Sequence, residues 1–193
     1  MVEGMTGTLP RFTGDGLLPS GDHPLTLNEL RESLLVIGPE DKGRYPNWDI
    51  AWRCELVDRL GLLCGQLWRV GATDIFIDGS FTEDKEHPND IDGYFVCELE
   101  HLASARLQRE LNLIDEHKVW TWDPASRRPY RGYEKKQLPM WHRYRVELYP
   151  HYGQMSGIHD EHGNELTFPS AFRRSRRDNK PRGIVRIVNG EST

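Results

Sequence analysis

Asp74-Ile-Phe-Ile-Asp-Gly-Ser-Phe-Thr-Glu-Asp-Lys-Glu-His-Pro-Asn-Asp-Ile-Asp-Gly-Tyr-Phe-Val96 is the stretch on which the fold of this chain turns. A short apolar strand runs into Gly79-Ser80, and nine residues later Asp90-Ile91-Asp92 opens a second strand. Residues two apart in a strand share a face, so Asp90 and Asp92 project together while Ile91 points the other way. Two ionised carboxylates side by side repel unless a cation lies between them. Mg²⁺ suits that position, because it takes one or two carboxylates together with the phosphate oxygens of a substrate. Gly79 has no Cβ and lets a ligand approach the backbone. Ser80 offers a hydroxyl and an N–H to phosphate.

Outward from this stretch the chain reads as one domain of 193 residues, long enough for a real core. Its composition, 37% hydrophobic and 28% charged, is that of a globular protein and excludes disorder throughout. A net charge of −5 argues against broad coating of nucleic acid. Cys54, Cys64 and Cys97 sit in apolar periodic segments without metal-type spacing, which predicts reduced core thiols and a cytoplasmic location. No signal peptide and no apolar run of membrane-spanning length is present in the sequence, so no membrane partner is expected.

Upstream, residues 1–25 are rich in Gly and Pro and read as an irregular arm, with Phe12, Leu17 and Leu18 packing it on the body. Thr26 and Glu29 match a capping box and predict a helix through Leu27, Leu30 and Leu34 that ends before Gly38-Pro39. Leu56, Leu60, Leu63 and Leu67 recur at helical spacing from about Asp49 to Val70, with Gly71 as the stop. Downstream, a helix is expected over 102–116, and residues 117–138 read as a long loop or hairpin. His142 to Tyr149 alternates, predicting a strand with Tyr144, Val146 and Leu148 on the core face. Arg143, Arg145, Glu147 and Tyr149 fall on the other face. A basic segment at 173–193 (Arg173, Arg174, Arg176, Arg177, Lys180, Arg182) closes with a short strand, Ile184 to Val188. Such a run reads as a solvated surface, or as a contact for RNA or NTP. His159-Asp160-Glu161-His162 lacks helical His-Glu-x-x-His spacing and reads as an exposed turn.

The conjunction of apolar-Gly79-Ser80, nine residues, Asp90-Ile91-Asp92 and a later strand acid resembles the DNA polymerase beta-like nucleotidyltransferase superfamily. Asp78-Gly79-Ser80-Phe81-Thr82, Lys85 and Pro88-Asn89-Asp90-Ile91-Asp92 look like a group of small stand-alone bacterial members of it. The match is strong over Ile75 to Phe95, with further likeness at Gly16-Leu17-Leu18-Pro19 and Gly183-Ile184-Val185. The resemblance implies an α/β (α+β) fold, a mixed sheet flanked by helices, with a cleft at one edge. It implies transfer of a nucleotide monophosphate from an NTP such as ATP to a hydroxyl acceptor (an RNA 3′ end, a protein or a small molecule), with pyrophosphate leaving. By position, Asp90, Asp92 and Glu147 would be catalytic and would hold two Mg²⁺ ions, or Mn²⁺ in their place. Gly79 and Ser80 would contact the triphosphate.

The physics of a two-metal site agrees, since two ions about 3.5–4 Å apart clamp the attacking and leaving oxygens of an in-line displacement. Lys85 is the candidate for neutralising the departing pyrophosphate, against the plainer reading of a solvated loop lysine. Arg145 is placed to reach phosphate, or to pair with the acidic cluster. Stand-alone members of this superfamily resemble toxin–antitoxin and phage-defence components, so a cognate toxin or antitoxin protein is the implied partner. Two further readings use the same residues: a non-catalytic nucleotide- or partner-binding module, and a metal-dependent nuclease, which Gly79-Ser80 suits less well.

Overall fold

The computed structural model describes residues 8–175 and 178–190. In chain order the elements are β1 (Gly21–Leu25), α1 (Leu27–Glu32), α2 (Leu34–Ile37), α3 (Ile50–Arg69), β2 (Ile75–Asp78) and β3 (Ile91–Val96). These are followed by α4 (Leu99–Ala103), α5 (Arg106–Ile114), β4 (Arg128–Tyr130), β5 (Tyr133–Gln137), α6 (Pro139–Tyr144) and β6 (Val146–His151). The chain closes with β7 (Met155–His159), β8 (Glu165–Thr167), α7 (Phe168–Phe172) and β9 (Gly183–Ile187).

Five strands form one mixed sheet in the order β1-β9-β2-β3-β6, parallel at both edges and antiparallel across β9-β2-β3. β4–β5 and β7–β8 are separate antiparallel hairpins. The fold is α+β, a mixed sheet flanked by helices.

The two faces of the sheet divide by chemistry. Leu25, Ile187, Val185, Ile75, Ile77, Ile91, Phe95, Val146 and Leu148 share one face through the strand registers, and all are buried. That face joins the core made with Leu56, Leu60, Leu63 and Leu67 of α3 and Leu107 and Leu111 of α5. Each fully buried side chain of this kind contributes roughly 1.5–3 kcal/mol relative to exposure. The opposite face carries Phe76, Tyr94 and Tyr149 and, at one end, the acidic row described below.

Several elements are as the sequence predicts. Thr26 and Glu29 form the capping box of α1, and α3 runs from Ile50 to Arg69, within the expected span. Leu17 and Leu18 are buried, and Phe12 packs against the core.

Others differ. The arm ends in a strand, β1, parallel to β9, and a Pro in so short an edge strand hides it from periodicity. The first helix breaks at Ser33, whose hydroxyl caps the next turn. The helix expected at 102–116 is two, α4 and α5, separated at Ala105 with φ 55°. The alternating strand at His142 to Tyr149 begins only at Val146. Pro139 starts α6, and Arg145, at φ 56°, ends it in the left-handed conformation. Arg143 and Arg145 therefore do not share a strand face with Glu147. Arg176 and Arg177 of the basic run lie outside the described residues.

Candidate functional site

β2 delivers Asp78 to the end of the sheet, and the chain turns at Gly79, φ +82°, into a short 3₁₀ turn over Gly79–Thr82. In the sheet register Asp78 is opposite Asp92, and Asp92 is opposite Glu147. Three carboxylates thus stand in a row across β2, β3 and β6, on the face away from the core. Asp90, two residues before Asp92, adds a fourth just outside β3.

Each acid is held differently. Asp78 is buried and pairs with Arg182, whose other arm reaches Glu83 Oε1 at 2.5 Å. Asp92 lies against Gly79, where a Cβ would come within 2.9 Å of its Oδ2. Asp90 Oδ2 accepts the indole N–H of the buried Trp141 at 2.6 Å. Burial raises the Asp90 pKa above the usual carboxylate value and the Trp141 hydrogen bond opposes it. The charge of Glu147 adds to the rise, while Lys85 and Lys135 oppose it. Glu147 is 1% exposed, accepts the Leu138 N–H at 2.9 Å and the Tyr149 hydroxyl, and has Arg127 Nη1 at 3.8 Å. Burial first, and Glu147 next, push the Tyr149 phenol well above its ordinary value.

Beside the row opens a cleft of about 510 Å³ lined by Gly79, Ser80, Glu83, Asp84, Lys85, Asp92 and Arg182, so that three carboxylates face two cations. Its wall is the loop between β2 and β3, and that loop is pinned from below by Arg53 of α3. The Arg53 guanidinium is fully buried and donates to Leu35 O at 2.6 Å, to Phe81 O at 2.9 Å and to Lys85 O. It lies 4.0 Å from the Trp48 ring. Trp52 Nε1–H to Pro88 O at 2.6 Å and Tyr45 O–H to Asp84 Oδ2 at 3.1 Å fix the rest of the loop.

The structure brings Gly79, Ser80, Lys85 and Asp92 to one cleft, with Asp90 and Glu147 in electrostatic contact beside it. Arg145 stands apart. Its guanidinium lies 3.8 Å from the Trp141 ring and 4.1 Å from that of Tyr130, so it supports the residue that holds Asp90. Arg182, Asp78, Trp141 and Arg53 escape a motif-based reading. Asp78 alone carries a local signal: it is the polar residue ending a strand, out of phase with Ile75 and Ile77.

The donor set is hard oxygen in an anionic patch, which fits a divalent cation of the magnesium type. Among the described residues, no group of three or more His, Cys, Asp or Glu is arranged to hold a metal ion. The Glu147 carboxylate accepts a backbone and a phenolic hydrogen bond.

Fold and site together define an α+β protein with an acidic cleft at the end of a mixed sheet. The chain belongs to the family of unknown function DUF6932, whose model matches residues 10–188. No curated protein and no solved structure matches it. Among the described residues, no helix is long and apolar enough to cross a membrane.

Proposed function

We propose that this protein is a magnesium-dependent nucleotidyltransferase that moves a nucleotide monophosphate from an NTP to a hydroxyl acceptor and releases pyrophosphate. The observation that carries the reading is the register pairing of Asp92 with Glu147, with Gly79 against Asp92 and with Asp90 near enough to Glu147 and Lys85 to feel their charges. Carboxylates gathered this closely repel one another, and a cation bridging to phosphate relieves the repulsion.

Asp90 and Asp92 would hold the metal, with Glu147 at the buried base of the same patch. When bound, the ion supplies charge stabilisation to the transferring phosphoryl group and acidity to the acceptor hydroxyl. Gly79, lacking a Cβ, lets Asp92 seat against its backbone, and Ser80 offers its hydroxyl to the triphosphate. Lys85 would bring positive charge to the departing pyrophosphate, while Arg182, paired with Asp78 and Glu83, fixes the wall of the cleft. Trp141 orients Asp90, and Leu138 N–H and Tyr149 O–H orient Glu147.

One observation favours a second reading, a nucleotide-binding module without turnover: both Glu147 oxygens are already engaged. Incubation with each labelled NTP, Mg²⁺ and cell extract separates the two. Transfer is expected, its labelled product identifying the acceptor as RNA, protein or small molecule, and it disappears in Asp90→Ala/Asp92→Ala. Thermal stabilisation by Mg-NTP without transfer would establish the second reading. Transfer that survives the double substitution would sink the first.

A further inference from the structure

Past Asp92 the cleft opens into a second chamber with different chemistry. It measures about 190 Å³ and is walled by Tyr149 of β6, Ile158 of β7, and Phe168, Ala171 and Phe172 of α7, with Asp78 and Asp92 on its floor. Phosphate does not call for such walls. The Phe168 and Phe172 rings are 5.0 Å apart at 44°, and Tyr149 meets Phe168 at 6.4 Å. Tyr94 of the sheet backs both phenylalanines, at 6.0 and 5.1 Å.

These residues are not ordinary core. Phe168 and Phe172 are only half-buried, and Ile158 is 46% exposed. Apolar and aromatic groups left open beside a polar cleft mark a place where a ligand completes the burial.

Size narrows the ligand. Whole drug-sized molecules occupy roughly 300–1,000 Å³. A chamber of 190 Å³ takes one flat ring system belonging to something larger. The remainder has to leave past Asp92, the residue common to this chamber and the Lys85–Arg182 cleft. That cleft sets Glu83, Asp84 and Asp92 beside Lys85 and Arg182, so it suits a polyanionic tail carried in with a divalent cation, and a molecule with an aromatic plane at one end and such a tail at the other meets both demands. At the ring edge, Lys135 is a donor, and Ser156 Oγ, which donates to Leu166 O at 2.9 Å and accepts the Ile158 N–H at 3.1 Å, keeps one lone pair to accept with.

We propose that the chamber is the base subsite, in which the heteroaromatic base of the nucleotide whose phosphates fill the polar cleft stacks on the Tyr149–Phe168–Phe172 wall. The proposal rests on the transferase reading for the phosphate end and adds the element that distinguishes one NTP from another. Stacking on aromatic side chains tolerates every base, so choice among NTPs falls to the polar groups at the rim.

The test is calorimetric titration of the full-length chain with Mg-tripolyphosphate, each Mg-NTP and the free nucleosides, in wild type, Ala171→Trp and Phe172→Leu. Ala171→Trp fills the chamber from a half-buried position on a short surface helix, and Phe172→Leu removes a ring while keeping an apolar contact on Tyr94. At least one NTP should bind on the order of tenfold or more tighter than tripolyphosphate. Ala171→Trp should erase that advantage, and Phe172→Leu should reduce it. Both should leave tripolyphosphate affinity unchanged, which also certifies the fold. Equal binding of NTP and tripolyphosphate in wild type, or an advantage that survives Ala171→Trp, overturns the base subsite and leaves the phosphate cleft intact. Binding of a nucleoside that Ala171→Trp blocks, with no binding of tripolyphosphate or NTP, supports the subsite and removes the transferase reading. No binding of any probe overturns both.

Discussion

The carboxylate of Asp92 rests against the bare backbone of Gly79, leaving 2.9 Å between its Oδ2 and the place a Cβ would occupy. Gly79 also sits at φ +82°, so it is constrained both by its own backbone and by its neighbour. Gly79→Ala should destabilise the chain by about 1–3 kcal/mol through backbone strain. Its larger effect should be on cation binding, because Asp92 must move to admit the methyl. Titration with Mn²⁺ alongside urea unfolding checks this: an affinity that falls no more than stability does would mean that Asp92 is not a ligand.

Asp90 carries the site's dependence on pH. Burial holds its carboxyl above the ordinary value of 3.8, and Glu147 adds to the rise against the Trp141 hydrogen bond. Below the unfolded-state pKa, Asp90 is protonated in both states and folding pays no penalty. As pH rises through the raised folded pKa, the folded state must hold a buried charge, so the metal-free protein loses stability towards neutrality. Asp90→Asn should flatten that decline and render the metal-free protein more stable at neutral pH. It should also abolish stabilisation by Mg²⁺. Trp141→Phe should move the acid limb of cation binding to higher pH, because the force favouring the charged form is gone. Unfolding midpoints across pH, with and without Mg²⁺, test both, and a parallel pH profile in Asp90→Asn would refute the assignment.

What is legible in the sequence is what depends on neighbours in the chain. The Gly79-Ser80 turn, the strand that carries Asp92, the Thr26–Glu29 capping box and the α3 stripe are local patterns, and each has its structural counterpart. The segment from His142 misleads because Tyr144, Val146 and Leu148 fit a strand while Met140, Trp141 and Tyr144 equally fit one helical face. Only the left-handed Arg145 decides between them, and no periodicity reports a positive φ. Arg182 and Asp78 lie 104 residues apart, so their pairing depends on β9 docking beside β2. Arg182 reads as one more basic residue in a run, yet it is 4% exposed and lines the cleft.

Arg53 should be the strongest determinant of loop shape. Its donors reach carbonyls in α2 and at two points of the β2–β3 loop, and burial lowers its pKa only to about 9, so it remains a cation at neutral pH. Arg53→Ala leaves those carbonyls without their donor and opens a cavity in the core, at a cost of about 3 kcal/mol or more. Arg53→Lys keeps the charge but lacks the planar fork, and should recover only part of the loss. Denaturant unfolding gives the magnitudes. Faster proteolytic cutting within 81–89 in Arg53→Lys, ahead of global unfolding, would locate the effect in the loop, and equal cutting throughout the chain would argue against it.

Arg182 holds two roles that a pair of variants can separate. It neutralises the buried Asp78 together with Glu83, and it lines the cleft beside Lys85. Arg182→Ala strips Asp78 of its cationic partner and should destabilise by about 3–5 kcal/mol, the usual effect of breaking a buried pair from one side. Replacing Arg182 and Asp78 by apolar residues, Arg182→Met with Asp78→Leu, should restore only the Asp78 share of that stability, because Glu83 still loses its ion pair with Arg182. Affinity for Mg-tripolyphosphate should not return, because the phosphate contact is absent from both variants. If the double variant folds and binds tripolyphosphate as wild type does, Arg182 serves only its carboxylate partners Asp78 and Glu83, and the phosphate end of the cleft is built on Lys85 and Ser80 alone.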